Sequence, residues 1–431
     1  MVQHYRLKGH QGPVTCLAHS STYRKNNTKA KKKNSVQPLP SCLLSGSEDG
    51  TVRLWDFKSS NPSRAALCIV SDGKQEITSV SFHPTLEDAS LELDQHQYPF
   101  TVYASTGTSV YGYDLRQTSS PILQQHHFQL NSLEGGEEIN EINMTTSLSN
   151  KKVYMGTADD DGYARVSDAI PNRYIVGSDT TSKSSSNSIL LQHADASSNA
   201  LVTSIAFRPR AKTLDIATGG TDSMVCLWDA NRPKRPSSLF TIKRDEEEGV
   251  NQICNPPFVN SLAWSPSGWF LAAGCGDGTA MVMKVEGRKL TECVRLRGGH
   301  DAMISSVLFP QFGGVNSSHV MAEDRLLVTA GNDGSIFLWD LGSKIVNFGI
   351  NPSTVFDDCM QQDTGMEIDN AIQDLSLNDK NSKDPRILMG LEHGLKPNAI
   401  ESSHSMDPVL SDSLFVADTS NDITVYSFPR I

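Results

Sequence analysis

The amino-acid sequence predicts an all-β fold, a seven-bladed β-propeller closed by the N-terminal strand joining the last blade. Three observations predict it. A hairpin-like pattern recurs three times in strong form and four times in weaker form along the 431 residues. An alternating strand ending near a proline precedes several copies. A strand-like segment at the N-terminus has no blade before it, while the last copy stops one strand short.

The strong copies carry the first observation. Ser45-Gly46-Ser47-Glu48-Asp49-Gly50 followed by Thr51-Val52-Arg53-Leu54-Trp55-Asp56 returns with its ending at Leu227-Trp228-Asp229 and again at Leu338-Trp339-Asp340. Each copy reads as a strand, a tight turn containing an aspartate (Asp49, Asp222, Asp333), and an alternating strand. Weaker copies end at Tyr113-Asp114, Ser167-Asp168, Met283 and Tyr426. The second observation rests on Phe82-His83-Pro84, Phe207-Arg208-Pro209, Trp264-Ser265-Pro266 and Phe309-Pro310, each closing a period-two strand. The third rests on residues 4–7, which are expected to pair with 423–428, because no residues remain there for a fourth strand. Closure of that kind removes exposed sheet edges.

The Trp-Asp ending resembles the WD40 repeat family, whose blades carry this mark. Gly9-His10 and Gly299-His300 match the family's Gly-His loop, and His193 and His393 match it in part. The marker positions lie 54 to 87 residues apart, against about 40 to 45 in ordinary repeats, so loops are inserted in every blade. The resulting blades cover about 8–66, 67–128, 129–192, 193–243, 250–297, 298–391 and 392–431 with 1–7, all in one domain. Inserts at 23–39 and 343–385 are expected to be disordered; the second holds eight Asp/Glu against three Lys. The resemblance also implies a buried hydrogen-bond chain joining the loop His, the turn Asp, a hydroxyl on the second strand and the end Trp. The sets here are His10, Asp49 and Trp55, and His300, Asp333 and Trp339, with Asp222 and Trp228 in the fourth blade. A buried indole and a buried imidazole both need partners, so these residues read as structural. A catalytic His–Asp pair is disfavoured, because no nucleophile travels with them.

A net charge of −11 argues against nucleic acid or an anionic membrane as the main partner. No apolar run is long enough for a membrane span and no signal-peptide core is visible. Eight scattered cysteines without a C-x-x-C pair read as reduced thiols. The expected address is the nucleus, the cytoplasm or both, with the chain monomeric by itself. Lysines at 25–33 fit either a nuclear localisation signal or a solvated loop. No metal, cofactor or catalytic motif is present; Asp159-Asp160-Asp161 lacks the spacing of a calcium loop.

Strand order assigns the loops to faces. Connections between first and second strands, and between third and fourth, leave a lower face. It receives the inserts at 23–39, 86–99, 173–188, 311–323 and 343–385. Two acidic inserts, 131–138 and 244–257, leave the upper face with Glu137, Glu138, Glu246, Glu247 and Glu248. These are the expected contacts for a client protein with a basic segment. On the lower rim, Tyr113-Asp114-Leu115-Arg116 resembles the W-D-x-R box with which some WD40 proteins dock on damaged-DNA-binding protein 1, the adaptor of cullin-4 ubiquitin ligases. Arginine suits that task through its planar, permanently charged fork. Tyr in place of Trp departs from the box, and a surface arginine on a turn is the plain alternative. The resemblance thus implies a protein-binding scaffold acting as a ubiquitin-ligase substrate receptor. The rivals are a general scaffold in an RNA-processing or trafficking assembly, and a propeller enzyme, for which the marker residues offer no polar funnel.

Overall fold

A computed structural model describes residues 3–20, 42–59, 61–84, 100–117, 120–130, 133–134, 136–150, 152–169, 188–193, 200–244, 255–311, 324–342, 386–403 and 412–428. These residues form seven sheets, antiparallel throughout except for one short parallel pairing, with two single-turn 3-10 segments, Asp72–Lys74 and Leu115–Gln117. Blade one is Val14–His19, Cys42–Ser47, Thr51–Asp56 and Leu67–Val70. Its outer strand thus lies just past the expected bound at residue 66, because the turn after Asp56 is ten residues long. Blade four (Val202–Phe207, Asp215–Gly220, Met224–Asp229, Ser238–Thr241) and blade six (Ile304–Leu308, Leu326–Gly331, Ser335–Asp340, Ile387–Glu392) repeat the arrangement.

The turn between second and third strands needs a left-handed residue after the aspartate. Gly50 (φ 73°) and Gly334 (φ 79°) supply it without steric cost, and Ser223 (φ 63°) adopts it in blade four. Glycine has another use on the second strand. A Cβ on Gly46 would stand 2.5 Å from Ile77, and one on Gly219 would stand 2.4 Å from Val259, so glycine there lets the next blade pack flush.

The ring closes as the sequence predicts. Gln3–Lys8 pairs antiparallel with Asp422–Phe428 over six residues, from Gln3↔Ser427 to Lys8↔Asp422, and becomes the outer strand of blade seven. Every inner strand touches the inner strands of both neighbours, including Val14–His19 against Pro397–Ser403. The core is divided accordingly: seven apolar clusters, one at each junction between adjacent blades. Trp55 fills the junction with blade seven beside Leu7 and Phe415, Trp228 the junction with blade three, and Trp339 the junction with blade five. Tyr113 lies buried at the junction of blades one and two.

The inner strands are also stitched by side chains. Six of the seven carry a β-bulge at their second residue, which frees that side chain from the period-two alternation. It donates to a carbonyl of the next blade: Thr15 to Ile77 (2.5 Å), Asn140 to Val202 (2.9 Å), Thr203 to Val259 (2.5 Å), Asn260 to Ile304 (3.0 Å), Ser305 to Pro397 (2.7 Å) and Asn398 to Val14 (2.8 Å). The last of these bonds crosses the seam between the chain's two ends.

Candidate functional site

Among the described residues, four blades hold a histidine-centred chain of buried and part-buried hydrogen bonds. In blade one the Trp55 indole donates to Ser45 Oγ at 2.9 Å, His10 Nε2 lies 2.8 Å from the same hydroxyl, and His10 Nδ1 lies 3.1 Å from Asp49. A carboxylate only accepts, so Nδ1 carries the proton and the serine hydroxyl donates to Nε2. Burial pushes the Asp49 carboxyl up, but bonds from His10, Thr51 and the Gln11 N–H outweigh it and hold the group below the usual carboxylate range. Blade six repeats the set through Trp339, Thr329, His300 and Asp333 at 2.8, 2.7 and 3.3 Å. Blade four does so through Trp228, Thr218, His193 and Asp222 with the imidazole turned over, so that Nδ1 faces the threonine and Nε2 the aspartate.

Blade seven uses a different chemistry. Tyr426 replaces Trp and Val416 removes the hydroxyl on the second strand. The phenol reaches His393 Nδ1 directly at 2.8 Å, and Nε2 meets Asp418 at 2.7 Å. All these groups are interior struts. In blade three the acidic turn is likewise engaged: Asp159 is buried against Arg165, with Asp161 3.6 Å from the same guanidinium. Among the described residues no group of three or more His, Cys, Asp or Glu could hold a metal ion, and no helix is long and apolar enough to cross a membrane.

The lower rim holds the arginine box. Asp114 is buried, and its N–H donates to His127 Nδ1 at 2.9 Å, just ahead of the short outer strand Phe128–Gln129. Arg116 forks onto the Asp114 carboxylate through Nε (2.9 Å) and Nη2 (2.7 Å) and lies 6.0 Å from the Phe100 ring centroid. Its side chain stays 37% exposed. The fork is therefore oriented before any partner arrives. The same device recurs: Arg325 forks onto Asp340, Arg288 meets Asp229 at 2.5 Å, and Lys152 meets Asp168 at 2.8 Å. In blade four the neighbouring blade thus supplies the cation for Asp229, and Arg232 is left to point elsewhere.

On the upper face Glu137 and Glu138 are exposed, whereas Glu246, Glu247 and Glu248 lie outside the described residues. So do the inserts 23–39, 86–99 and 343–385, and most of 173–188 and 311–323. The fold adds two carboxylates that the sequence reading missed. Burial and then the nearby charges of Glu48 and Glu138 push the exposed Glu76 above its usual range. Glu48, Glu76 and Glu138 come from three different blades or junctions, and only the assembled ring groups them.

Comparison with known proteins agrees with this architecture. The family model described as "WD domain, G-beta repeat" matches residues 1–56, 186–229, 250–282 and 291–340, which takes in the three blades with complete Trp sets. The chain is 25% identical over 98% of its length to the "WD repeat-containing protein 53 homolog" of Dictyostelium discoideum, covering 93% of that protein. It is 34% identical to "WD repeat-containing protein VIP3" of Arabidopsis thaliana over 24% of this chain and 31% of that one. It is 28% identical to "Small ribosomal subunit protein RACK1y" of Oryza sativa subsp. japonica over 35% of this chain and 36% of that one. The chain folds as a seven-bladed β-propeller, matches the WD40-repeat model over these segments, and is similar along nearly its whole length to a WD repeat-containing protein 53 homolog.

Proposed function

We propose that this propeller is a non-enzymatic scaffold that serves as a substrate receptor, docking on damaged-DNA-binding protein 1 in a cullin-4 ubiquitin ligase. WD40 propellers generally bind protein partners. The observation that carries the finer reading is Arg116: a guanidinium already forked on buried Asp114, at the rim, with part of its side chain exposed. An arginine ordered in advance loses little entropy on docking. In this reading the opposite face, with Glu48, Glu76, Glu137 and Glu138, holds a client through a basic segment. The protein acts as a monomer in the nucleus, the cytoplasm or both, and needs no cofactor or nucleic acid.

One observation favours the rival scaffold without a ligase link. The Arg325–Asp340 fork has the geometry of Arg116–Asp114, so a rim arginine can serve its own blade alone. Co-purification with wild type, Arg116→Ala and Arg325→Ala separates the two. The receptor reading expects the adaptor with wild type and with Arg325→Ala, and its loss with Arg116→Ala. An adaptor that is absent from the wild-type sample, or undiminished in the Arg116 variant, rejects the docking assignment.

A further inference from the structure

The lower rim of blades four and five is a rigid cationic platform. Arg208, with a side chain only 13% exposed, ties three loops together. Its Nε donates to the Gly268 carbonyl at 2.7 Å, and its Nη1 to the Gly287 carbonyl at 3.2 Å and to Asp215 at 3.3 Å. Its guanidinium lies 5.6 Å from the Trp264 ring centroid. The turn 229–237 is fixed at both ends. Arg232 N–H donates to the Asp229 carbonyl at 2.7 Å, Asn231 donates to the Asp229 carboxylate, and Ser237 N–H donates to the Leu227 carbonyl at 2.7 Å. Pro233 and Pro236 limit what freedom remains.

This frame exposes Lys212, Arg232, Lys234, Arg235 and Lys289. Lys289 faces Glu286 across the hairpin, and the other four have no carboxylate partner among the described residues. The exposed carboxylate on the same loops, Glu286, is taken by Lys284 at 2.8 Å. Trp269, 43% exposed, follows Gly268 on the rim. A chain of net charge −11 thus concentrates unneutralised positive charge on one ordered patch beside an exposed indole.

We propose that this rim binds an extended acidic peptide segment of a protein partner. Carboxylates of the segment meet the four cations without a carboxylate partner, Lys212, Arg232, Lys234 and Arg235, and an apolar or aromatic side chain of it packs on Trp269. Prepaid ordering of the turn makes each contact cheaper, and charge complementarity speeds encounter. The patch suits a short peptide better than a nucleic acid, since the remaining surface of an acidic protein repels a long polyanion. The assignment is independent of Arg116 and of the ligase reading.

The test uses the full chain and a fluorescein-labelled, glutamate-rich peptide containing one tyrosine, followed by anisotropy. Wild type is expected to bind, with an affinity that falls as salt rises. The triple variant Arg232→Glu, Lys234→Glu, Arg235→Glu should lose about tenfold or more in affinity, as three exposed charge contacts would supply. Trp269→Ala should lose a smaller factor, and Lys396→Glu on the opposite face should bind like wild type. Thermal melts of each variant report that the fold is intact. Wild-type affinity in the triple variant overturns the proposal, as does tighter binding of a single-stranded oligonucleotide carrying the same charge.

Discussion

At the scale of single residues, one hydroxyl decides whether the Trp marker can be buried. Ser45 Oγ accepts from the Trp55 indole and donates to His10, so Ser45→Ala leaves two buried polar groups without a partner. Each such group costs about 1–3 kcal/mol. Ser45→Ala should therefore lower the urea midpoint clearly in a wild-type background and less in a Trp55→Phe background, where one of the orphans is already gone. Equal losses in both backgrounds would mean that the hydroxyl does not couple the two rings. Blade seven shows why such sets are only partly legible in sequence. Tyr426 and His393 are visible, but Asp418 lies eight residues before the aromatic instead of six, and the phenol substitutes for a missing hydroxyl.

A second residue-scale prediction concerns pH. Burial pushes the carboxyls of Glu141 and Glu401 up to about 7. Glu141 receives the Ser204 hydroxyl at 2.6 Å and the Ile205 N–H at 2.8 Å, whereas Glu401 receives the Ser402 N–H at 3.3 Å. A carboxyl raised in the folded state binds more protons folded than unfolded, so it removes stability as pH rises from about 4.5 to about 7. Glu401→Gln should then be more stable than wild type at pH 8, by on the order of 1–3 kcal/mol, and the gain should shrink toward pH 4.5. Half-buried His19 and His83, lowered to about 4 by desolvation, weaken both proteins equally as pH falls from the usual histidine range, so they cancel in the difference. Urea denaturation of both proteins across this range checks it; a pH-independent difference would assign the effect to packing alone.

Among the elements, legibility follows burial. Third strands such as Met224–Asp229 and Ser335–Asp340 are buried, apolar and bounded by a turn that demands Asp and a left-handed residue, so pattern and turn chemistry agree. Outer strands offer no such agreement. In blade two the outer strand shrinks to Phe128–Gln129, and nearby Ile122–Leu123 leaves to run parallel with Leu67–Val70 of blade one, a pairing that no periodicity announces. The inner strands were legible as strands, but their bulges were not. At Thr15, Asn140 and Asn398 the residue reads as the polar phase of an alternating strand, yet its side chain turns sideways to the next blade. The arginine box falls between these cases: its position on the rim could be read from strand order, while its fork on Asp114 and its recurrence as Arg325–Asp340 required the fold.

For the whole molecule, counting strands was enough to place residues 4–7 beside 423–428, because a ring with one strand missing and one spare strand has a single economical closure. The acidic group of Glu48, Glu76 and Glu138 could not be counted in this way, since it exists only once three parts of the ring converge. Closure also fixes how the molecule should fail. Gln3–Lys8 contributes six paired residues and buries Leu7 against Trp55, Phe415 and Val425, so it is both an edge cover and a core element. Leu7→Ala removes only the core part and should cost about 2–5 kcal/mol while leaving a monomer. Deleting residues 1–8 removes both parts and bares the edge of Asp422–Phe428 to pairing with another chain. Inner contacts at the same seam persist, because Asn398 still donates to the Val14 carbonyl and Val14 N–H to the Ser420 carbonyl. The ring should therefore stay joined at its axis but open at its rim, and light scattering on size-exclusion chromatography should find association that a synthetic peptide of residues 1–8 suppresses. A deletion variant that stays monomeric and melts like wild type would show that the ring is held from the axis outward and does not depend on its closing strand.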